Sequence, residues 1–428
     1  MLDLLFNVPV ILKIIVSLAS IIIFNKFLSN QIYGVIAGTV ILAVWANYGF
    51  HYALTISWNR FSEIDNIFLL LVVFFIMILS SQMKESGLMD ELVNYITGKY
   101  SRNKSIAILP AVIGLLPMPG GALFSAPLVG SCDVDNNIDA SLKTRINYWF
   151  RHIWEYWWPL YPGVLLAIDI SNLPVLIFIA ALFPVTIISA VGAWFFLLRR
   201  LGPDVDSKRS GSIGYFLFLI SPILIIISVY FILSAFVPVL SDVSKYLPIA
   251  IGIFLSGIYL QIIKPLSFFK WKKLFSPKNY LKMVVLVALI RIYGAFIEGR
   301  LPDGTFLMET LRAELSAIGI SPYLLIMLIP FICGISTGIA IGTVGAAFPI
   351  VISLIGTSPD LNLLVSTTVL AYTFGHAGQL LSPVHVCLLV SNEYFKVSLG
   401  RSLVGLIKPV LVVLAAGFFL SRLYMGVL

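Results

Sequence analysis

Long runs of apolar residues without a single charge dominate the pattern of the chain, for example 66–83, 105–132 and 170–198. A membrane-spanning helix needs about 20 apolar residues. The runs are continuous, whereas the strands of a membrane barrel alternate between apolar and polar positions. The pattern therefore predicts about ten transmembrane helices, at 8–25, 31–50, 64–83, 145–170, 175–198, 212–240, 247–263, 279–297, 361–392 and 403–421.

Composition supports the same class. Hydrophobic residues make up 59% of the 428 residues and charged residues 11%, with a mean hydropathy of +1.00. Soluble domains have about 45–50% apolar and about 25% charged residues, so a soluble enzyme is excluded. The three cysteines have no metal-ligand spacing and are interpreted as small hydrophobic residues. The expected fold is an all-α polytopic membrane protein, with the lipid bilayer as its partner.

The basic residues are distributed unevenly over the predicted loops. If the loop 264–278 is cytoplasmic, 18 lysines and arginines lie in cytoplasmic segments and five in external ones. This asymmetry is the positive-inside rule, and it predicts a multi-pass protein of the cell membrane with both termini external. The net charge of +8 is thus a signal of orientation, and we expect no nucleic-acid partner.

Two halves of the chain, 1–205 and 206–428, repeat one order of events. Each has a long apolar segment that breaks in its middle, 105–130 in the first half and 323–356 in the second, followed by an interrupted helix, 145–170 or 361–392. The first half contains five crossings, so the second enters the membrane from the opposite side. The halves are therefore predicted to be inverted repeats, and the two broken segments to be re-entrant hairpins, an arrangement found in secondary transporters. Kinked, closely packed helices are the alternative.

The breaks supply the first candidate site residues. Non-helical backbone at membrane depth is tolerated only where it is buried in protein or lines a cavity. The hairpin tips contribute Pro119, Gly120 and Gly121 from the first half and Ser336, Thr337 and Gly338 from the second. The Ser336 and Thr337 hydroxyls could coordinate Na⁺. In the second interrupted helix, Ser382 is expected to cap a half-helix whose first residue is Pro383; Pro159 has the corresponding place in the first.

Ionisable residues within the membrane supply the remaining candidates. Arg151 and Glu155 have the spacing of a helical ion pair, and His152 lies between them. Arg151 could bind an anion while Glu155 or His152 carries a proton; a purely structural ion pair is the alternative. His376 and His385 are either proton relays or satisfied core histidines.

Three tracts resemble a known family: LLPMPGGALFSAPLVG at 115–130, NYWFRHIWEYWWPLYPG at 147–163 and GHAGQLLSPVHVCLLVSNEYF at 375–395. They are similar to an integral-membrane family of unknown function (domain of unknown function 401) in the ion transporter superfamily, alongside citrate, gluconate, dicarboxylate and arsenite permeases. The resemblance implies two re-entrant hairpins, a homodimer and elevator-type movement. The Ser-Asn-Thr tips of dicarboxylate permeases are absent, so neither sodium coupling nor carboxylate specificity carries over.

The sequence thus predicts a secondary active transporter of a small, anionic molecule or ion, coupled to a proton or sodium gradient. No other cofactor and no certain metal site is expected. A passive anion channel is the first alternative. An intramembrane serine hydrolase is the second, because Gly334–Gly338 spells a nucleophile-elbow pattern with histidines downstream. That motif needs a strand-to-helix turn, so the protein is not expected to be an enzyme.

Overall fold

A computed structural model describes residues 8–28, 30–117, 121–133, 137–201, 211–275, 278–356 and 358–426. Over these residues the chain is helical, apart from turns and one isolated bridge between Arg300 and Phe306. The first half contains α1 Val10–Leu28, α2 Gln31–Trp45, α3 Phe50–Ser62, α4 Ile64–Glu85, α5 Leu88–Lys99, α6 Arg102–Gly114, α7 Gly121–Ser131, α8 Ala140–Arg151, α9 Pro162–Ser171 and α10 Val175–Phe196.

The helices of the second half follow along the chain. It contains α11 Ile213–Leu219, α12 Ser221–Phe236, α13 Val239–Val243, α14 Leu247–Ile263, α15 Phe268–Leu274, α16 Lys278–Ile297, α17 Leu307–Ala317, α18 Pro322–Thr337, α19 Ala340–Leu354, α20 Leu361–Leu380, α21 Val386–Phe395 and α22 Leu399–Tyr424.

The long apolar helices fit the membrane protein that the composition predicts. Fewer helices than predicted, however, are long enough to span a bilayer unaided. Within the described residues, four pass a length and hydropathy test, namely 64–85, 175–200, 280–297 and 399–424. Two bent helix pairs raise the number to six; α11 and α12 meet at 74°, α17 and α18 at 115°. The other predicted spans are shorter or interrupted, so the prediction of about ten remains untested.

Two short amphipathic helices, α5 and α17, each bury one apolar face. Leu88, Leu92 and Ile96 lie on one buried face of α5, and Leu307, Leu311 and Leu315 on one buried face of α17. In both helices these residues are four apart, which places them on one side of an α-helix. Each helix lies between a long apolar helix and a broken segment, and so connects the two.

Both broken segments contain two helices, and the second break lies at the last residue of the predicted tip, 334–338. In the first segment, Arg102 at the start of α6 lies 4.0 Å from Asp133, which follows α7, so the two ends of this segment meet. In the second, residues 334–337 continue α18, and the chain turns at Gly338, whose φ is +66°. Glycine adopts this left-handed conformation without strain.

Ion pairs near the helix ends join residues that the charge pattern assigns to the same side. Glu91 pairs with Lys264, and Asp133 with Lys143 at 2.8 Å, on the predicted cytoplasmic side. On the predicted external side, Arg291 binds Asp169 at 2.6 Å and Glu63 at 3.2 Å, and Lys245 and Arg60 join the same group. Arg291 therefore has carboxylate partners at its end of α16.

Candidate functional site

The linker between α8 and α9 is unwound, as the sequence predicts, and aromatic side chains hold it against the first broken segment. The indole of Trp154 donates to the carbonyl of Ala111 at 2.7 Å, and that of Trp158 to Leu115 at 2.9 Å. The Tyr161 hydroxyl donates to Gly114. The last carbonyls of a helix have no partner within it, so these aromatic residues cap the end of α6. These three aromatic residues therefore serve structure.

Arg151 ends α8 at the tip of the first broken segment. A Cβ atom at Gly121 would lie 2.1 Å from the Arg151 Nη2 atom, so only glycine leaves room for the guanidinium there. The Arg151 carbonyl contacts Gly114 in the same way, at 2.2 Å from an added Cβ. The side chain is buried, and the Cys387 thiol lies within its hydrogen-bonding range. A buried positive charge therefore lies against the start of α7.

His152 and His385 come from opposite halves and form one hydrogen-bonded chain. Their Nε2 atoms are 3.0 Å apart, and His152 Nδ1 is 2.7 Å from the Tyr148 carbonyl. Because a carbonyl only accepts, His152 Nδ1 carries the hydrogen and its Nε2 accepts from His385 Nε2. The free lone pair of His385 Nδ1 then accepts from the Tyr148 hydroxyl at 2.9 Å. For neutral rings, the network thus assigns one tautomer to each histidine.

Glu155 forms the acidic part of the site. Its Oε2 accepts from the Gln379 amide at 2.7 Å, and its Oε1 lies 3.8 Å from His152 Nε2. His376 Nδ1 is 3.9 Å from Oε2, and neither nitrogen of that buried ring has a hydrogen-bond partner among the described residues. A cavity with room for about one water molecule lies beside His376 and Gln379.

The predicted helical pair of Arg151 and Glu155 does not form as such. Helix α8 ends at Arg151, so the regular spacing of four residues along a helix is lost before Glu155. The carboxylate accepts instead from Gln379 of the second half. Arg151 and Glu155 nonetheless belong to the same buried cluster, because both lie next to His152.

The second linker differs from the predicted one. Helix α20 continues to Leu380, so His376 and Gln379 are helical and the unwound part is 381–385. Ser382 does not cap a helix that begins at Pro383, because α21 begins at Val386. The Ser382 hydroxyl donates to the Ile335 carbonyl at 2.6 Å and so ties the linker to α18. In the first half, Pro162 rather than Pro159 is the first helical proline.

The remaining predicted residues divide into three groups. Gly338 lies at the linker, since an added Cβ would be 2.9 Å from Ser382 Oγ and 3.0 Å from the His385 nitrogen. Thr337 uses its hydroxyl within α18, donating to the Cys333 carbonyl at 2.8 Å, and Ser336 is half-buried one residue earlier. Ser336 thus lies in a helix and not in a strand-to-helix turn. Pro119 and Gly120 lie outside the described residues.

Sequence reasoning missed three members of the site. Tyr148 and Gln379 form the hydrogen bonds described above, and Cys387 lies beside Arg151, His152 and His385. Cys387 follows His385 by two residues, which was the available signal. The third member of this group, His152, is 235 residues away from Cys387 in sequence, so the spacing of the cysteines alone could not identify the group.

Fold and site together define the class: an all-helical protein, with long apolar helices that fit a membrane protein and a buried cluster of ionisable residues between its halves. The family described as Protein of unknown function (DUF401) matches residues 2–428. The chain belongs to this family. No curated protein matches it.

Proposed function

We propose that the protein is a secondary active transporter of a small anionic solute, driven by a proton or sodium gradient. The observation that carries the proposal is the buried cluster of Arg151, His152, Glu155 and His385 at the point where two interrupted helices and a broken segment meet. Charges within a membrane protein are costly to bury and mark solute or ion pathways. Transporters place such sites between repeats, at interrupted helices.

An offset of 224 residues supports the inverted repeat. Adding 224 to the bounds of α9, Pro162–Ser171, gives those of α21, Val386–Phe395, and α10 and α22 begin at the same offset. Two close contacts also correspond: Gly114 meets the Arg151 carbonyl, and Gly334 meets the carbonyl of Gly375, each at 2.2 Å from an added Cβ. Residues related by a twofold axis can meet at the interface between two repeats. Glu155 and Gln379 are related by this offset, and the Gln379 amide donates a hydrogen bond to Glu155.

Prolines within helices repeat as well. Pro110 in α6 corresponds to Pro330 in α18, Pro127 in α7 to Pro349 in α19, and Pro184 in α10 to Pro409 in α22. A proline inside a helix removes a hydrogen bond and bends the helix. The two broken segments thus share internal prolines as well as breaks. The packing is reciprocal, since α9 contacts α19 and α21 contacts α7.

Anion binding follows from the donors in the cluster. The Arg151 guanidinium provides a fork of N–H groups that suits carboxylate and oxyanion geometry. The first turns of α9 and α21 add unpaired N–H groups and partial positive charge. Glu155 adds the carboxylate that a proton or sodium ion would need for coupling. The fixed positive charge of Arg151 and the carboxylate of Glu155 together suit the transport of an anion along with a coupling cation.

The movement and assembly implied by the ion transporter superfamily complete the proposal. Helices α5 and α17 connect α4 and α16 to the two broken segments and are placed to act as hinged arms. Elevator movement would then carry the broken segments and the linkers past the remaining helices. The protein would act as a homodimer in the cell membrane, which mass measurement in detergent or native lipid can check.

The test is uptake by purified protein in liposomes across a panel of labelled small anions, with a proton gradient, a sodium gradient or neither. A thermal-shift screen comes first, because a ligand that binds only the folded state raises its stability. We expect at least one anion to accumulate only with a gradient. Uptake that is indifferent to both gradients for every anion that stabilises the protein would overturn the proposal.

A further inference from the structure

Two histidines and a cysteine from opposite halves converge in the buried cluster. The ligand atoms of His152, His385 and Cys387 all lie within 4.8 Å of one another. His152 belongs to the first linker, while His385 and Cys387 lie at the start of α21. Both rings are buried, and Cys387 is half-buried.

The second nitrogens of the two imidazoles lie beside carbonyl oxygens, where those of metal ligands usually lie. A metal-binding histidine commonly donates its second ring N–H to a carbonyl, which fixes the tautomer and the orientation of the ring. His152 Nδ1 lies 2.7 Å from the Tyr148 carbonyl, and His385 Nδ1 lies 3.3 Å from the Gln379 carbonyl. Both Nε2 atoms therefore point inward, towards each other.

We propose that His152, His385 and Cys387 bind a borderline-soft divalent metal ion, of which Zn²⁺ is the type. Two imidazoles and a thiolate are ligands that zinc takes, with bonds of about 2.0–2.1 Å to nitrogen and about 2.3 Å to sulfur. A tetrahedral ion then needs its ligand nitrogens about 3.3 Å apart. The Nε2 atoms are 3.0 Å apart and all three ligand atoms lie within 4.8 Å of one another, so binding needs the nitrogens to separate by about 0.3 Å and the sulfur to close on the same ion.

The protons balance without a new base. The proton on His385 Nε2 moves to Nδ1 of the same ring. The Nδ1–H group then donates a hydrogen bond to the Gln379 carbonyl. The Tyr148 hydroxyl, 3.2 Å from the same carbonyl, turns to donate there. Both Nε2 lone pairs are then free for the ion. The Cys387 thiol loses its proton to solvent, because only the thiolate is a metal ligand.

Charge determines what occupies the fourth position. Zinc and the new thiolate together add one positive charge to a cluster that already contains Arg151 and Glu155. Three protein ligands leave one position open, and an anion there restores neutrality. If that anion is the transported solute, this last step depends on the proposed function; the three-ligand site does not.

Metal titration of the full-length protein in detergent tests the site. Zn²⁺ binding is measured by competition with a chromophoric chelator, and Co²⁺ is used as a spectroscopic probe of the sulfur ligand. We expect one Zn²⁺ per chain and an intense near-ultraviolet band from thiolate-to-cobalt charge transfer. Cys387→Ser should remove the band and weaken zinc binding by about 100-fold; Cys333→Ser, a buried cysteine in α18, is the matched control and should change neither.

Each outcome of the metal titration either supports or refutes the proposed site. If wild type binds no zinc, or if Cys387→Ser binds it as tightly as wild type, the site is refuted. His385→Gln gives a second check should Cys387→Ser fail to fold, with the melting temperature of each variant as the criterion of folding. The titration involves no transport, so a failed uptake assay and a failed metal assay remain distinguishable.

Discussion

The two interrupted helices occupy corresponding places in the two halves but differ in chemistry. The first linker contains Arg151 and Glu155, and three of its aromatic residues cap α6. At the corresponding offset of 224, the second half has Gly375 in place of the arginine and Gln379 in place of the glutamate. Both halves keep a histidine at this offset, His152 in the first and His376 in the second.

The comparison teaches that one half supplies charge and the other supplies close packing. Gly334 and Gly378 allow α18 and α20 to approach each other, because an added Cβ would lie 2.2 Å from the Gly375 carbonyl oxygen at Gly334 and 2.1 Å from the Phe331 carbonyl oxygen at Gly378. Gln379 has nearly the shape of glutamate without its charge, and it donates to Glu155. A pair of carboxylates at this distance would repel each other. The first half therefore contributes a charged partner and the second half a neutral one to this hydrogen bond.

The largest expected effect comes from removing the charge of the first linker. Arg151→Ala should weaken binding of the anionic solute by on the order of 100-fold, since it removes a buried cationic donor. Binding is measured as the ligand-dependent thermal shift. Arg401→Ala, which removes an exposed arginine paired with Asp139, is the control. Equal ligand shifts in wild type and Arg151→Ala would show that Arg151 is structural.

Exchanging Glu155 and Gln379 separates the effect of the carboxylate charge from that of the side-chain shape. The double variant Glu155→Gln, Gln379→Glu keeps the hydrogen bond and the net charge, but moves the carboxylate to the second half. We expect it to fold with nearly the wild-type melting temperature and to lose gradient-dependent uptake by at least about 10-fold, as should Glu155→Gln alone. Uptake at the wild-type rate in the double variant would mean that only the hydrogen-bonded pair matters.

A methyl group at the start of α7 tests the position of the arginine. Gly121→Ala places a Cβ atom 2.1 Å from the Arg151 guanidinium, which must then move. We expect solute affinity to fall by about 10-fold with a modest loss of stability, on the order of 1–3 kcal/mol for an overpacked site. Gly98→Ala on α5, where an added Cβ meets nothing within 4 Å, is the matched control and should bind as wild type does.

The smallest effect concerns the predicted cytoplasmic end of the first broken segment. Burial alone would raise the pKa of the Asp133 carboxyl, but the hydrogen bonds from Lys143 and two backbone N–H groups, together with the Lys143 charge, lower it below its ordinary value. A lowered folded-state pKa stabilises the fold above the unfolded pKa of about 3.9, and this stabilisation is lost as the pH falls through the folded value.

We therefore expect the melting temperature of wild type to fall below about pH 4. Asp133→Asn should melt lower than wild type at pH 7, because Lys143 then lacks its buried partner, and should show less of this acid dependence. Asp90→Asn, an exposed residue on α5, serves as control. An identical melting temperature for Asp133→Asn and wild type at pH 7 would contradict this role of the carboxylate.

Much of the fold follows from apolar runs. The predicted span 247–263 coincides with α14, and the faces of α5 and α17 are buried as their spacing predicts. Long helices are set by local pattern and by the need to bury it. The same reasoning identified the first linker, because Arg151, His152 and Glu155 interrupt an apolar stretch.

Tertiary contacts decide what the sequence could not. The first linker stays unwound as far as Tyr161 because Trp154, Trp158 and Tyr161 bond to α6, and no local signal selects Pro162 over Pro159. In the second half, close packing of Gly378 on α18 keeps α20 helical past His376. Cys387 belongs to the site because it lies close to His152, a residue of the other half. Local spacing does not reveal contacts of that length.

Solute counterflow in liposomes tests the central claim most directly. Vesicles are loaded with an unlabelled anion identified by the thermal-shift screen, and entry of the labelled anion is followed without any ion gradient. A carrier that alternates between two sides should accumulate the label transiently above its equilibrium level, and Arg151→Ala should abolish this accumulation. Labelled anion that only equilibrates, at a rate that does not saturate and is the same in Arg151→Ala, would contradict the account.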